Sequence, residues 1–447
     1  MSTSVPAPIQ SLPTVGGPSR TAIVQGRRSR TVAGTPWANV VILMLLTLSV
    51  AVSPRLRVGS IAYDKGIDIR VEDGLIVVAA LNLLIHRTKE RTQLTTLICI
   101  YFIVCAASTF LGVLLGRLDS LRAGLFFAKE IELFAFFPVT LSYIRNSACV
   151  KAVLIGLLAG GLANGLFALL QILTGNYLGL EQGYYGVATF GEATAFTVSA
   201  YFVIVVLLGL ASLDLPSRLI KIAAASCILL GVIGAIAGMS RVSVLGAALV
   251  IPVWVIYRLG HSRKFLTKIT GLAIVAAVLA VAFWSYGALS GNQWELLAIG
   301  RVGGVFQGEA YSEYQRGRVN NIYVDYYEPI VRNPLIGMGK SITGTRLPAE
   351  AHNYYLRLMA ETGIIGLLLF VSVLVYVFRV ALRVHKRSRD RWQRATGDFC
   401  ILTTVFLMIT ALAQDTFIVA RIAELFWIIA AITIRTDQWL KSQPAHH

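Results

Sequence analysis

The sequence predicts an all-α integral membrane protein of about twelve transmembrane helices, with one long outer-face loop between helices nine and ten. Three observations carry that reading. The 447 residues are 56% hydrophobic and only 14% charged, where a soluble chain carries about 25% charged residues. Apolar runs of the length needed to cross a bilayer, roughly 18 residues or more, recur from end to end. The basic residues collect between those runs on alternate connections, as the positive-inside rule requires. The net charge of +17 therefore belongs to cytoplasmic loops and does not imply a nucleic-acid partner.

The elements follow in order. Residues 1–35, rich in Pro, Ser, Gly and Thr, read as a disordered cytoplasmic tail. No apolar core lies near its start, so it does not read as a cleavable signal peptide. The "RRSR" before the first span places the N-terminus in the cytoplasm. Residues 36–287 hold spans one to nine, predicted at 37–53, 74–85, 95–115, 121–142, 150–173, 194–212, 220–238, 242–257 and 269–287. The second is short, and an earlier start at Ile67 is an alternative. The loop occupies 288–352. Residues 353–436 hold spans ten to twelve, at 363–381, 399–413 and 417–434, and 437–447 form a cytoplasmic tail. "HRTKER", "PSRLIK", "YRLGHSRKFLTK" and "RVHKRSRDRWQR" follow spans two, six, eight and ten, all on the side of the N-terminus. "GNYLGLEQGYYGVATFGE", on the opposite side, has neither Lys nor Arg. The five cysteines lack metal-site or disulfide spacing. No soluble domain and no internal repeat stands out.

The long loop departs from the short connections elsewhere, and loops of that length usually carry function. Its arginines, Arg301, Arg316, Arg318, Arg332 and Arg346, go against the positive-inside trend and raise the question of what anion the outer face holds. Of six histidines only His352 falls on that face. A lone histidine at a helix start is ordinarily a polar residue and nothing more. Arg241, in "GMSRVSVLG", lies between spans seven and eight with almost no loop around it. A charge there is a functional candidate, against the alternative of a snorkelling side chain. Arg316 and Arg318 have ordinary loop solvation as theirs. Together, outer-face arginines and one histidine suit a single task. Arginines grip a phosphate or diphosphate through bidentate, permanently charged contacts, and a neutral imidazole takes a proton from an attacking hydroxyl.

"HNYYLRLMAETGIIGLLLF" resembles the signature of the O-antigen ligase and O-antigen polymerase family, a His-Asn pair followed by Glu-x-Gly-x-x-Gly; the matching residues are His352, Asn353, Glu361, Gly363 and Gly366. Upstream, "RVNNIYVDYYEPIVRNPLIGMG" is similar to the family's arginine, aromatic helix, proline and Gly-x-Gly, at Arg318, Pro334, Gly337 and Gly339. "SRVSVLG" looks like its Ser-Arg start of a span, at Ser240 and Arg241. The resemblance implies a GT-C-like glycosyltransferase in the bacterial inner membrane. Such an enzyme takes a glycan from undecaprenyl diphosphate on the periplasmic face, with no cofactor and no metal. The acceptor is lipid A–core for a ligase or a growing glycan for a polymerase. It implies Arg241 and Arg318, with Arg316 as the substitute, as diphosphate ligands, His352 as the base, and Ser240, Asn353 and Glu361 as supporting residues. Many relatives carry an arginine where this chain has "YYGVATFGEAT", which leaves Glu192 as the polar residue at the mouth of span six. Two i,i+3 pairs inside spans, Lys129 with Glu132 and Arg421 with Glu424, read as structural ion pairs, with lining of the lipid-carrier groove as the alternative. Tyr184, Tyr185, Tyr323, Tyr326, Tyr327, Tyr354 and Tyr355 read as an aromatic belt at the outer interface, with sugar stacking as the alternative. A secondary transporter is the rival reading; it would show repeated halves and broken helices at matching positions.

Overall fold

The computed structural model describes residues 36–52, 56–62, 65–85, 91–174, 189–190, 194–238, 240–259, 270, 323–343, 347 and 351–442. Among these, the helices are α1 (Pro36–Val52), α2 (Val71–Ile85), α3 (Gln93–Leu114), α4 (Ser120–Tyr143), α5 (Ser147–Thr174), α6 (Ala195–Ser212), α7 (Arg218–Ala237), α8 (Arg241–Leu259), α9 (Val324–Arg332), α10 (Tyr354–Arg387), α11 (Arg391–Thr410) and α12 (Ala420–Ser442). Predicted spans one to eight and ten to twelve each lie on a helix; the ninth falls outside the described residues. Five helices, α3, α5, α6, α7 and α10, are long and apolar enough to cross a membrane, while α1 and α8 are apolar but shorter.

One small element is added to the helices. Between α1 and α2 the chain forms an antiparallel hairpin, β1 (Leu56–Ala62) with β2 (Lys65–Ile69), paired from Leu56 with Ile69 to Ala62 with Lys65. The early start of span two at Ile67 is therefore wrong. The helix begins at Val71, where Asp73 folds back so that its carboxylate accepts the Arg70 backbone N–H at 2.9 Å. A polar first turn of this kind satisfies donors that have no partner inside the helix.

The bundle is apolar on both its inner and its outer surfaces, as lipid immersion requires. On α3, Tyr101 and Cys105 are buried, yet Ile103, Phe110 and Leu114 are each more than 60% exposed. Helix α6 is buried along nearly its whole length and packs on α7 and α11. Small residues set the close approaches. A Cβ on Gly156 of α5 would lie 2.3 Å from the Thr47 hydroxyl of α1, and one on Gly160 2.3 Å from the Ala51 Cβ. Helix α11 packs against both α8 and α10, so it stands between the two elements that carry the sequence motifs.

Candidate active site

His352 precedes α10 in a turn that the surrounding chain holds fixed. Its φ is +49°, the left-handed region that few residues other than glycine adopt. Such strain persists only where neighbours over-determine it, and they do. The Ala351 N–H donates to Asp415 Oδ2 at 3.1 Å, and the Tyr354 N–H donates to the Ala411 carbonyl at 2.8 Å. Asn353 is the N-cap of α10; its Oδ1 accepts the Leu356 N–H at 3.0 Å, which accounts for the Asn after the His by helix chemistry. The half-buried imidazole places Nδ1 3.5 Å from Gln414 Oε1, the outer limit of a hydrogen bond. The turn is thus fastened to the connection between α11 and α12.

The two glycine motifs, distant in sequence, form one backbone junction. Helix α10 breaks at Gly363 (φ 65°, ψ −170°), a conformation essentially restricted to glycine. The break withdraws carbonyls and N–H groups from the helix ladder, and the 334–339 loop takes them up. Met338 N–H donates to Ala360 O and Gly339 N–H to Glu361 O, both at 2.8 Å. In the other direction Ile364 N–H donates to Pro334 O at 2.8 Å and Ile365 N–H to Leu335 O at 3.3 Å. A Cβ on Gly337 would sit 2.6 Å from the Glu361–Gly363 backbone, and one on Gly363 2.3 Å from the Leu335 carbonyl. This contact accounts for Gly337, Gly339 and Gly363, while Gly366 packs on the Thr362 side chain of its own helix.

Glu361 lies beneath the junction and is fully buried. Its Oε1 accepts from Arg357 Nε at 2.9 Å and from Thr343 Oγ1 at 3.0 Å; its Oε2 accepts from Lys340 Nζ at 2.9 Å. Lys340 also donates to Glu130 Oε1 at 3.0 Å, which accepts from the Tyr101 hydroxyl at 2.8 Å. On the other side Arg357 reaches Asp415 Oδ2 at 3.6 Å. An unbroken polar chain therefore runs from Asp415, under the histidine turn, through Arg357, Glu361 and Lys340 to Glu130. Burial alone would push the Lys340 amine down, but the Glu130 and Glu361 carboxylates outweigh it and hold its pKa well above the usual lysine range. Glu361 is accordingly an anchor that sets α10 against α3 and α4, and three members of this polar chain, Lys340, Arg357 and Asp415, were not singled out in the sequence. The Arg357–Glu361 spacing of four was the one visible signal; nothing in sequence joins Lys340 or Asp415 to it.

Ser240 caps α8. Its backbone N–H donates to Ser199 Oγ at 3.1 Å, and its own Oγ accepts from Ser243 N at 3.4 Å and from Ser243 Oγ at 3.1 Å. Arg241 is the first residue of that helix and is half-buried. Arg316, Arg318, Glu192, Tyr184 and Tyr185 lie outside the described residues. So His352, Asn353 and Glu361 share one element, and Ser240 with Arg241 another, both packed on α11.

Two expectations about polar residues change. Lys129 does pair with Glu132, at 2.7 Å. The Arg421–Glu424 pair is replaced: Arg421 donates to Thr189 Oγ1 at 2.6 Å and to the Phe190 carbonyl, while neither oxygen of Glu424 is hydrogen-bonded. The tyrosines are not one belt. Tyr327 is 70% exposed, but Tyr354 and Tyr326 are buried, Tyr354 with its ring centroid 5.2 Å from that of Phe370 and 5.4 Å from that of Phe417. Burial pushes the Tyr326 hydroxyl well above its usual range.

The O-antigen ligase family model matches residues 225–371, a third of the chain. The match supports the family that the motifs resemble, and with it a membrane enzyme of surface-polysaccharide biosynthesis. It spans Ser240, Arg241, Arg316, Arg318, both glycine motifs, His352 and Glu361. No curated protein matches the chain.

Proposed function

With the O-antigen ligase family as premise, we propose that this protein is a membrane glycosyltransferase of the ligase type. It moves a glycan from undecaprenyl diphosphate to an acceptor hydroxyl on the periplasmic face of the inner membrane, the acceptor being lipid A–core. The observation that carries the reading is the held left-handed turn at His352, inside the matched region. In the transfer the acceptor oxygen attacks the anomeric carbon and His352 takes its proton. The bond between that carbon and the diphosphate oxygen breaks. Arg241 and Arg318, or Arg316 in its place, stabilise the charge that leaves with the diphosphate, so the step needs no metal. Such placed cations supply several kcal/mol where charge develops. Twelve spans with both termini cytoplasmic bring the loop and the histidine to the outer face.

The test is reconstitution of the purified protein with an undecaprenyl-diphosphate glycan and two acceptors, lipid A–core and a second lipid-linked glycan. Product on lipid A–core supports the ligase reading. Product on the second glycan identifies a polymerase of the same family, and no product with either acceptor removes the transferase reading.

A further inference from the structure

We propose that Asp73, Glu132 and Glu424 form a binding site for a divalent cation, calcium in preference to magnesium, held between α2, α4 and α12. The three side chains each offer a carboxylate oxygen, and these atoms lie within 4.8 Å of one another. Oxygens this close can share one ion; calcium takes protein carboxylates directly, whereas magnesium keeps several of its waters. Glu424 supplies the second, independent observation. It is fully buried, it points into the cluster, and neither of its oxygens has a hydrogen-bond partner. A buried carboxylate in that condition is a large desolvation cost without a return. Helix geometry would have allowed Arg421 to serve it, but Arg421 is turned to Thr189 and Phe190.

The local charge balance points the same way. Among the described residues, the carboxylates of Asp73, Glu132, Glu424 and the neighbouring Glu72 outnumber the cations beside them, Lys129 and Arg70. Lys129 lies 2.7 Å from Glu132 and 3.8 Å from Asp73, and its side chain is 42% exposed. It is the resident competitor for the carboxylates, with room to swing outward. Asp73 is oriented by its own helix start: Oδ2 accepts the Arg70 N–H, which leaves Oδ1 turned to the cluster without a hydrogen bond. Asp73 and Glu132 are both partly exposed and mark the way in. No step of the transfer proposed above uses these residues. Glu130, two positions from Glu132, faces Lys340 instead.

The test uses the full chain, purified in detergent and treated with chelator. It is titrated by calorimetry with calcium and, in a second arm, magnesium, while thermal unfolding is followed. Expected are one calcium per chain, a higher unfolding temperature with calcium, and a weaker response to magnesium. Glu424→Gln and Asp73→Asn should lose both binding and the shift. Lys129→Gln should bind calcium more tightly, because it removes the competing ammonium. Folded wild type that binds no calcium overturns the proposal, as does Glu424→Gln binding like wild type. Tighter magnesium than calcium binding overturns the choice of calcium. A wild type stabilised by lowered pH and not by calcium shows that a shared proton satisfies the carboxylates, and the cation site falls. Should Glu424→Gln fail to fold, Asp73→Asn at the partly exposed edge decides.

Discussion

His352 combines two properties that substitutions separate. The imidazole is the proposed base, and the backbone beneath it has φ +49°, which costs a non-glycine residue of order 1 kcal/mol. His352→Ala removes the ring and keeps the strain; His352→Gly removes both. Both should lose glycan transfer, and His352→Gly should unfold at the same temperature as His352→Ala or higher. Transfer by either variant at the wild-type rate takes the imidazole out of the mechanism. Arg241 gives a second residue-scale prediction. If the diphosphate is gripped bidentately, Arg241→Lys should keep the charge yet raise the donor KM nearly as far as Arg241→Ala; a lysine variant with wild-type kinetics would mean that point charge suffices. At this scale the sequence singled out His352 by loop charge and Asn353 by motif alone; that Asn353 caps α10 came from the structure. Lys340 and Asp415 were not legible, since their roles come from contacts with residues 210 and 58 positions away, at Glu130 and Arg357.

The element that most governs the site is the broken α10. A continuous helix through 354–387 would satisfy its own ladder and leave the 334–339 loop nothing to bind. Gly363→Ala places a Cβ 2.3 Å from the Leu335 carbonyl in a conformation closed to alanine. It should cost about 3 kcal/mol or more and abolish transfer, read as a lower unfolding temperature in detergent. Gly124 of α4 has nothing within 4 Å of an added Cβ, so Gly124→Ala should be neutral or stabilise by up to ~1 kcal/mol. Equal effects of the two substitutions would mean the junction is not the constraint. The ion chain below makes a linked prediction. Lys340→Met leaves Glu130 and Glu361 facing each other without their shared ammonium and should cost roughly 3–5 kcal/mol. Adding Glu130→Gln should restore part of it in a double-mutant cycle, since the two residues are coupled. Strict additivity would exclude the coupling. The glycines at 337, 339, 363 and 366 were visible as motifs; that 337, 339 and 363 meet in one contact was not, because hydrogen bonds across an interrupted helix leave no periodic trace in sequence.

At the scale of the whole molecule, the helices were legible from apolar runs and the hairpin at 56–69 was not, since its strands are short and lie directly before a helix. The sidedness of the site rests on a closed set of contacts. The histidine turn bonds to the 411–415 connection, and the 334–339 loop bonds to the break in α10. The loop, the start of α10 and the end of α11 therefore lie at one end of these helices. The other end carries Arg383, Lys386, Arg387, Arg389, Arg391 and Arg394 in and around the α10–α11 turn. The positive-inside rule predicts a cytoplasmic location for that basic end, whatever the total number of spans, and labelling tests it. Leu335 and Leu412, 61% and 56% exposed, report on the first end and Arg389 on the second. In a background with the exposed Cys99 replaced, Leu335→Cys and Leu412→Cys should react with a membrane-impermeant maleimide in cells with a permeabilised outer membrane. Arg389→Cys should react only once the inner membrane is opened. Labelling in the reverse order would place His352 in the cytoplasm, out of reach of a periplasmic lipid-linked glycan. Labelling of Leu335→Cys without Leu412→Cys would contradict the contacts that join the loop to the α11–α12 connection.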